Sequence, residues 1–275
     1  MLARPIPSTG EMMPVVGLGT WPVFDVGQDE TSRAPLREVV KTLVVGGGTM
    51  IDTSPMYRRS EEVVGDLVAG LGLRDNVFLA TKVWISGRQQ GIDQMARSAS
   101  LLKSPSLDLM QVHNLVDWRT QLATMREMKA RGALRYIGIT HYTTGALNDL
   151  AHLLESVDGI DFVQCGYSLD TRAAETRLLP ICRDRGIATI VNQPFERGRL
   201  FRKVRSRALP EWAAEFDCTS WARFFLKYLL GDPAITVVIP ATNKPDHMAD
   251  NLKAGYGRLP DAAQRERIRR YWDAL

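Results

Sequence analysis

Three short stretches carry residues suited to acid–base chemistry. Met50-Ile51-Asp52-Thr53-Ser54-Pro55-Met56-Tyr57 places a carboxylate behind an apolar lead and a phenol five positions later. Thr81-Lys82 ends a second apolar run, and Gln111-Val112-His113 ends a third. A phenol is a poor proton donor at neutral pH unless a nearby cation lowers its pKa from about 10. The expected division of labour has Tyr57 giving a proton to a carbonyl oxygen and Lys82 stabilising the phenolate. Asp52 would keep Lys82 charged and oriented, and His113 would orient the carbonyl and support developing oxyanion charge. Such a group moves a proton but contains no reductant, so a hydride source has to come from a cofactor. Taken singly, each residue has a plainer reading: a turn carboxylate, a solvated strand end, a hydrogen-bonded core imidazole. Their recurrence at matching strand ends is what argues for a site.

The elements that must position them follow a regular alternation. A short hairpin is expected around Ser8-Thr9-Gly10-Glu11. Strands are predicted over 15–20, 50–52, 77–82, 107–113, 136–140, 162–165, 187–191 and 235–239. Helical spacing is predicted over 36–45, from a cap at Ser60, and over 92–102, 119–129, 146–154, 175–183, 220–230 and 246–252. The segment 198–210 reads as irregular and basic, and a charged terminal helix spans 261–272. Eight strand–helix units in 275 residues suit one (β/α)₈ TIM barrel, residues 1–275, with a short N-terminal hairpin and an extra C-terminal helix. A doubly wound open sheet is the competing α/β fold. It lacks support because Gly17-Leu18-Gly19 runs into Trp21-Pro22 without a third glycine. In a barrel the C-terminal strand ends face one rim, which is where Asp52, Lys82 and His113 fall.

Composition removes several function classes. With 45% hydrophobic and 24% charged residues the chain is ordinary globular protein, long enough to bury a sizeable core. The net charge of +4 is diffuse, which argues against nucleic acid and suits a phosphate-bearing small ligand met by local Arg and Lys. Cys165, Cys182 and Cys218 give neither a disulfide framework nor zinc spacing, so a reducing compartment is expected. No apolar run reaches about 18 residues, and Met1-Leu2-Ala3-Arg4-Pro5 has no apolar signal core. The expectation is a cytoplasmic protein without membrane, nucleic-acid or obligate protein partner; a removed export leader would make it periplasmic. A metal-dependent hydrolase using Asp52 and His113 would need more strand-end ligands, whereas His152 and His247 fall in predicted helices.

The three motifs, in order on successive strands, together with Val15-Val16-Gly17-Leu18-Gly19-Thr20-Trp21, resemble the aldo-keto reductases. These are NAD(P)H-dependent carbonyl reductases on a (β/α)₈ barrel, and the matching segments run on to Asn251. The resemblance implies a catalytic tetrad of Asp52, Tyr57, Lys82 and His113, direct hydride transfer from the nicotinamide, and no metal. It implies carboxamide contacts from Thr140 and Gln164, with His141 where the family usually has Asn. Phe195 stands where a ring stacks on the nicotinamide, and Gly19 and Thr20 open the same site. Gly198-Arg199-Leu200 matches a loop that closes over the pyrophosphate. Thr242 and Lys244 fall in the adenosine-phosphate segment, and Asn251 matches an adenine contact. Ala241 and His247 occupy places where the family often shows Lys and Arg, so NADPH is expected with NADH open. Trp21, Phe24 and Trp84 are expected to wall a pocket for a small apolar or aromatic aldehyde or ketone. The competing function is that of a branch of this fold that senses nucleotide as a regulatory subunit with little turnover.

Overall fold

The computed structural model describes residues 1–275. Its centre is a sheet of eight parallel strands whose order in space follows their order in sequence. They are β3 (Leu18–Gly19), β4 (Met50–Asp52), β5 (Phe78–Val83), β6 (Leu107–His113), β7 (Leu134–His141), β8 (Phe162–Gly166), β9 (Ala188–Asn192) and β10 (Val237–Val238). The sheet closes on itself. Gly17 N–H donates to the Val238 carbonyl and Val238 N–H to the Val15 carbonyl, both at 2.9 Å. A Cβ on Gly19 would lie 2.7 Å from the Ile239 carbonyl oxygen, so only glycine lets the seam come together there. This is the barrel the alternation predicts.

Side chains on a strand alternate between faces, and here the two faces fill two separate cores. Met50, Phe78, Ala80, Leu109, Tyr136, Phe162, Ala188, Ile190, Val237 and Ile239 pack inside the cylinder. Their neighbours Ile51, Leu79, Met110, Val112, Ile137, Ile139, Val163, Val191 and Val238 face outward into a larger cluster with the helices. The antiparallel hairpin of β1 (Ala3–Pro5) and β2 (Met12–Pro14) closes the N-terminal end. It drives Ile6 and Met13 into the inner core, and its Glu11 carboxylate accepts from the Tyr136 hydroxyl and Arg135, each at 2.5 Å.

The outer ring comprises α1 (Glu30–Val45), α2 (Ser60–Gly70), α3 (Arg88–Leu101), α4 (Trp118–Ala130), α5 (Leu147–Ser156), α6 (Leu178–Arg185), α7 (Arg199–Lys203), α8 (Trp221–Leu230) and α9 (Pro245–Leu252). Helix α10 (Ala262–Asp273) follows, capped by a reciprocal Asp261–Gln264 box. Several expected boundaries move. Helix α1 starts at Glu30, where Asp29 accepts from Ser32 N–H at 2.8 Å; its polar first turns, with Pro35 among them, hide the helical period. Ser60 does not cap α2, and the neighbouring Glu61 is buried beneath Thr81, whose hydroxyl donates to it at 2.5 Å. The expected irregular segment contains the short α7.

Lys227 on α8 is fully buried, yet it has no carboxylate partner. Its ammonium donates to the carbonyls of Phe216, Tyr256 and Arg258 at 2.8, 2.7 and 2.8 Å. One cation thereby ties α8 to two chain segments that bracket it. No helix of the protein is long and apolar enough to cross a membrane.

Candidate active site

The same alternation that builds the inner core decides which polar groups enter the barrel. Inward Met50 makes Asp52 inward on β4, and inward Phe78 and Ala80 make Lys82 inward on β5. Leu109 sets Gln111 and His113 inward on β6, and Tyr136 sets Thr140 inward on β7. Register pairs Lys82 with Gln111, His113 with Thr140 and Thr140 with Gln164. Where the apolar layers stop, at the C-terminal mouth, these polar groups form the next layer.

Lys82 Nζ donates to both carboxylate oxygens of Asp52, at 2.9 and 2.8 Å, and to the Thr53 carbonyl at 2.6 Å. Gln111 Nε2 donates to Asp52 Oδ1 at 3.2 Å. Burial works most strongly against the ammonium, but Asp52, Tyr57 and Glu61 together outweigh it and hold Lys82 above its ordinary pKa. Tyr57 ends a short 3₁₀ turn, Pro55–Tyr57, and its ring centre lies 5.2 Å from Lys82 Nζ. The Tyr57 and His113 rings meet edge to face at 6.0 Å.

The electrostatics correct one expectation. Lys82 does not bring the phenol below its usual pKa. Burial raises Tyr57, Lys82 pulls it down, and Asp52 pushes it up again, with a net rise. The physical reason is burial first: desolvation of the phenolate outweighs the pull of Lys82, and the Asp52 charge beside that ammonium offsets part of it. Tyr57 is therefore firmly protonated at neutral pH, which is the state a donor needs. His113 is driven the other way, to about 3, by burial first and then by the Lys82 charge. It is a neutral imidazole with one N–H.

A cavity of about 960 Å³ opens above this layer. Of the expected residues, Gly19, Thr20, Trp21, Asp52, Tyr57, His113, Thr140, Gln164, Phe195, Gly198, Thr242 and Asn251 line it. Lys82 lies behind Asp52. Phe195 is half-buried and packs on Phe201, ring centres 4.9 Å apart.

Six expected contacts fall elsewhere. Phe24 is fully buried in the outer core, because the turn after β3 folds back and Phe24 N–H donates to the Thr20 carbonyl at 3.0 Å. Trp84 is exposed outside the cavity, and its backbone N–H donates to Gln94 on α3 at 2.6 Å. His141 turns to its own loop, where Nδ1 accepts from Thr143 N–H at 3.3 Å. Arg199 pairs with Asp170 at 2.5 Å and Glu196 at 3.4 Å, away from the cavity, and Leu200 belongs to the outer core. Lys244 is exposed at the start of α9, where its N–H donates to Thr242 Oγ1 at 3.1 Å.

Other residues enter the cavity that were not expected to. Arg197, in left-handed backbone at φ 53°, lines it and lies 4.5 Å above the Trp21 ring. Trp221 and Asn114 line it as well. Asn192 ends β9 two places after inward Ile190, so the strand period could have found it. The amide oxygens of Gln164, Asn192 and Asn114 are buried in the cavity wall without hydrogen-bond partners. Unpaired buried acceptors are costly, so they call for a ligand carrying N–H donors. The carboxamide of a nicotinamide has that chemistry, and the residues present fit such a group.

A closed parallel barrel with its titratable side chains gathered at the C-terminal mouth is the architecture of a barrel enzyme. The chain belongs to the aldo/keto reductase family, whose model matches residues 15–272. It is similar to the methylglyoxal reductase YeaE of Escherichia coli, with 29% identity over 87% of this chain and 84% of that protein. An NADH-specific methylglyoxal reductase from the same organism is 26% identical over 94% of each. In fold it is similar to an aldo-keto reductase from Klebsiella pneumoniae solved in complex with NADPH. That likeness has a TM-score of 0.82 and 24% identity, over 99% of this chain and 96% of that one.

Proposed function

We propose that this member of the family reduces the carbonyl of a small aldehyde or ketone to an alcohol, with Tyr57 as the proton donor. The observation that carries the reading is the buried Asp52–Lys82 pair beside a protonated phenol and a neutral imidazole at one cavity wall. A nicotinamide nucleotide, when bound, would supply hydride-donor chemistry for the carbonyl carbon. Tyr57 gives its proton to the carbonyl oxygen. His113 donates a hydrogen bond to that oxygen as negative charge grows on it. Lys82 and Asp52 keep a fixed, dry dipole behind the phenol.

The nucleotide would be held by Thr140 and Gln164 at its carboxamide, with Asn192 beside them. Phe195 would lie near its ring and Gly198 near its phosphates, with Thr242 and Asn251 at the adenosine end. NADPH is the cofactor we favour, as in the Klebsiella complex, with NADH in view because one relative is named NADH-specific. Trp21 and Tyr142, both exposed at the cavity, suit an apolar or aromatic substrate, and methylglyoxal reductases among the relatives suit a small one. The test is nucleotide oxidation with an aromatic aldehyde and with methylglyoxal, beside a fluorescence titration of NADPH and NADH. Tyr57→Phe should keep nucleotide binding and lose about 10²-fold or more in turnover. A variant that turns over like the parent overturns the reading.

A further inference from the structure

Ser54 stands inside the turn between Asp52 and Tyr57 and is fully buried. Its Oγ lies 3.0 Å from His113 Nδ1, across 59 positions of sequence. The same oxygen accepts from Met56 N–H at 3.2 Å. No other hydrogen bond is made by the hydroxyl. Its proton therefore has a single acceptor within reach, the imidazole nitrogen.

That inventory selects one tautomer. If Nδ1 carried the proton, Ser54 Oγ would accept from both Nδ1–H and Met56 N–H. Its own hydrogen would then be buried without a partner, an arrangement that proteins avoid. If Nδ1 is bare, Ser54 donates to it, accepts from Met56, and every group is satisfied. The imidazole proton then resides on Nε2. Nδ1 is the nitrogen held by the protein, and His113 lines the cavity, so Nε2 is the one left to face a ligand.

We propose that Ser54 is a positioning residue that fixes His113 as its Nε2–H tautomer, so that a donor and not a lone pair meets the substrate oxygen. The Ser54 carbonyl also accepts from Tyr57 N–H at 2.9 Å. One residue thus holds the ring of His113 through its side chain and the turn of Tyr57 through its backbone. The two rings it holds meet edge to face at 6.0 Å. A bare Nε2 would instead repel the oxygen it should support, since an acceptor would meet a developing negative charge.

The role rests on the reductase reading for its purpose, but its test does not need turnover. Long-range ¹H–¹⁵N correlation on histidine-labelled protein at pH 7 reads the two ring nitrogens. His113→Asn assigns the signal among the four histidines of the chain. The wild type should show a bare Nδ1 and a protonated Nε2, and Ser54→Ala should gain the Nδ1–H form. With an aldehyde substrate, Ser54→Ala should lower kcat about tenfold, with nucleotide Kd within about twofold. Ser54→Thr, which keeps the hydroxyl, should restore both the tautomer and kcat. A protonated Nδ1 in the wild type overturns the proposal, even if Ser54→Ala fails to fold. A kcat loss in Ser54→Ala with an unchanged tautomer also overturns it, because the serine would then only pack. Failure of Tyr57→Phe to lose turnover would sink the reductase reading and leave the nitrogen spectrum standing.

Discussion

Lys82 and Asp52 face each other across adjacent strands with both carboxylate oxygens on one ammonium, at 2.8 and 2.9 Å, and neither is more than 2% exposed. Lys82→Met should therefore cost about 3–5 kcal/mol, because it leaves a buried carboxylate without its cation. Lys82→Met with Asp52→Leu should recover most of that stability and none of the turnover. Chemical denaturation of the single and double variants, with a carbonyl assay on each, separates the two roles.

Stability should fall on acidification through His113. Its folded pKa is held near 3, below the ordinary 6.5, so the unfolded chain takes up a proton that the folded chain refuses. The contribution is complete above about 6.5 and is lost as pH falls from there toward 3, at about 1.4 kcal/mol per pH unit. His113→Gln should remove that slope. Thermal melts at pH 7, 6 and 5 should show the parent losing more than the variant.

Arg58 follows Tyr57 directly at φ 54° and ψ −105°, a region that charges a side-chain-bearing residue about 1–3 kcal/mol. Its side chain is mostly exposed and meets only Asp25, at 3.3 Å, which is worth little. Arg58→Gly should therefore stabilise the protein by about 1 kcal/mol even after the added freedom of the unfolded glycine. A drop in midpoint on denaturation would contradict this.

Arg197 above Trp21 joins two rim loops across the cavity. Arg197→Ala should raise the KM for an aromatic aldehyde about 2- to 5-fold, the size of an exposed cation–π contact, with kcat little changed. Steady-state kinetics on the variant are enough to check it.

The barrel and its reacting layer were legible in the sequence because one rule, alternation along a strand, governs both. Residues 50–52 and 107–113 are strands as read, and the inward positions that bury Met50 and Leu109 also present Asp52 and His113. The loops were less legible. The resemblance points to Arg199, but Arg197 is the arginine that reaches the cavity, because Glu196 and Arg197 both take left-handed backbone, which spacing cannot show. Phe24 and Trp84 follow strand ends as Trp21 does, yet Phe24 folds back into the core and Trp84 lies exposed outside the cavity. Ser54 carried no signal, since its importance lies in a partner brought up by a strand two units away.

Lys227 has a reach beyond its own helix. The helix it anchors begins at Ser220 and Trp221, which form part of the cavity wall, while the carbonyls it gathers belong to the stretches on either side. A single ammonium, shielded from salt, thus fastens the chain's closing quarter to the side of the ligand chamber.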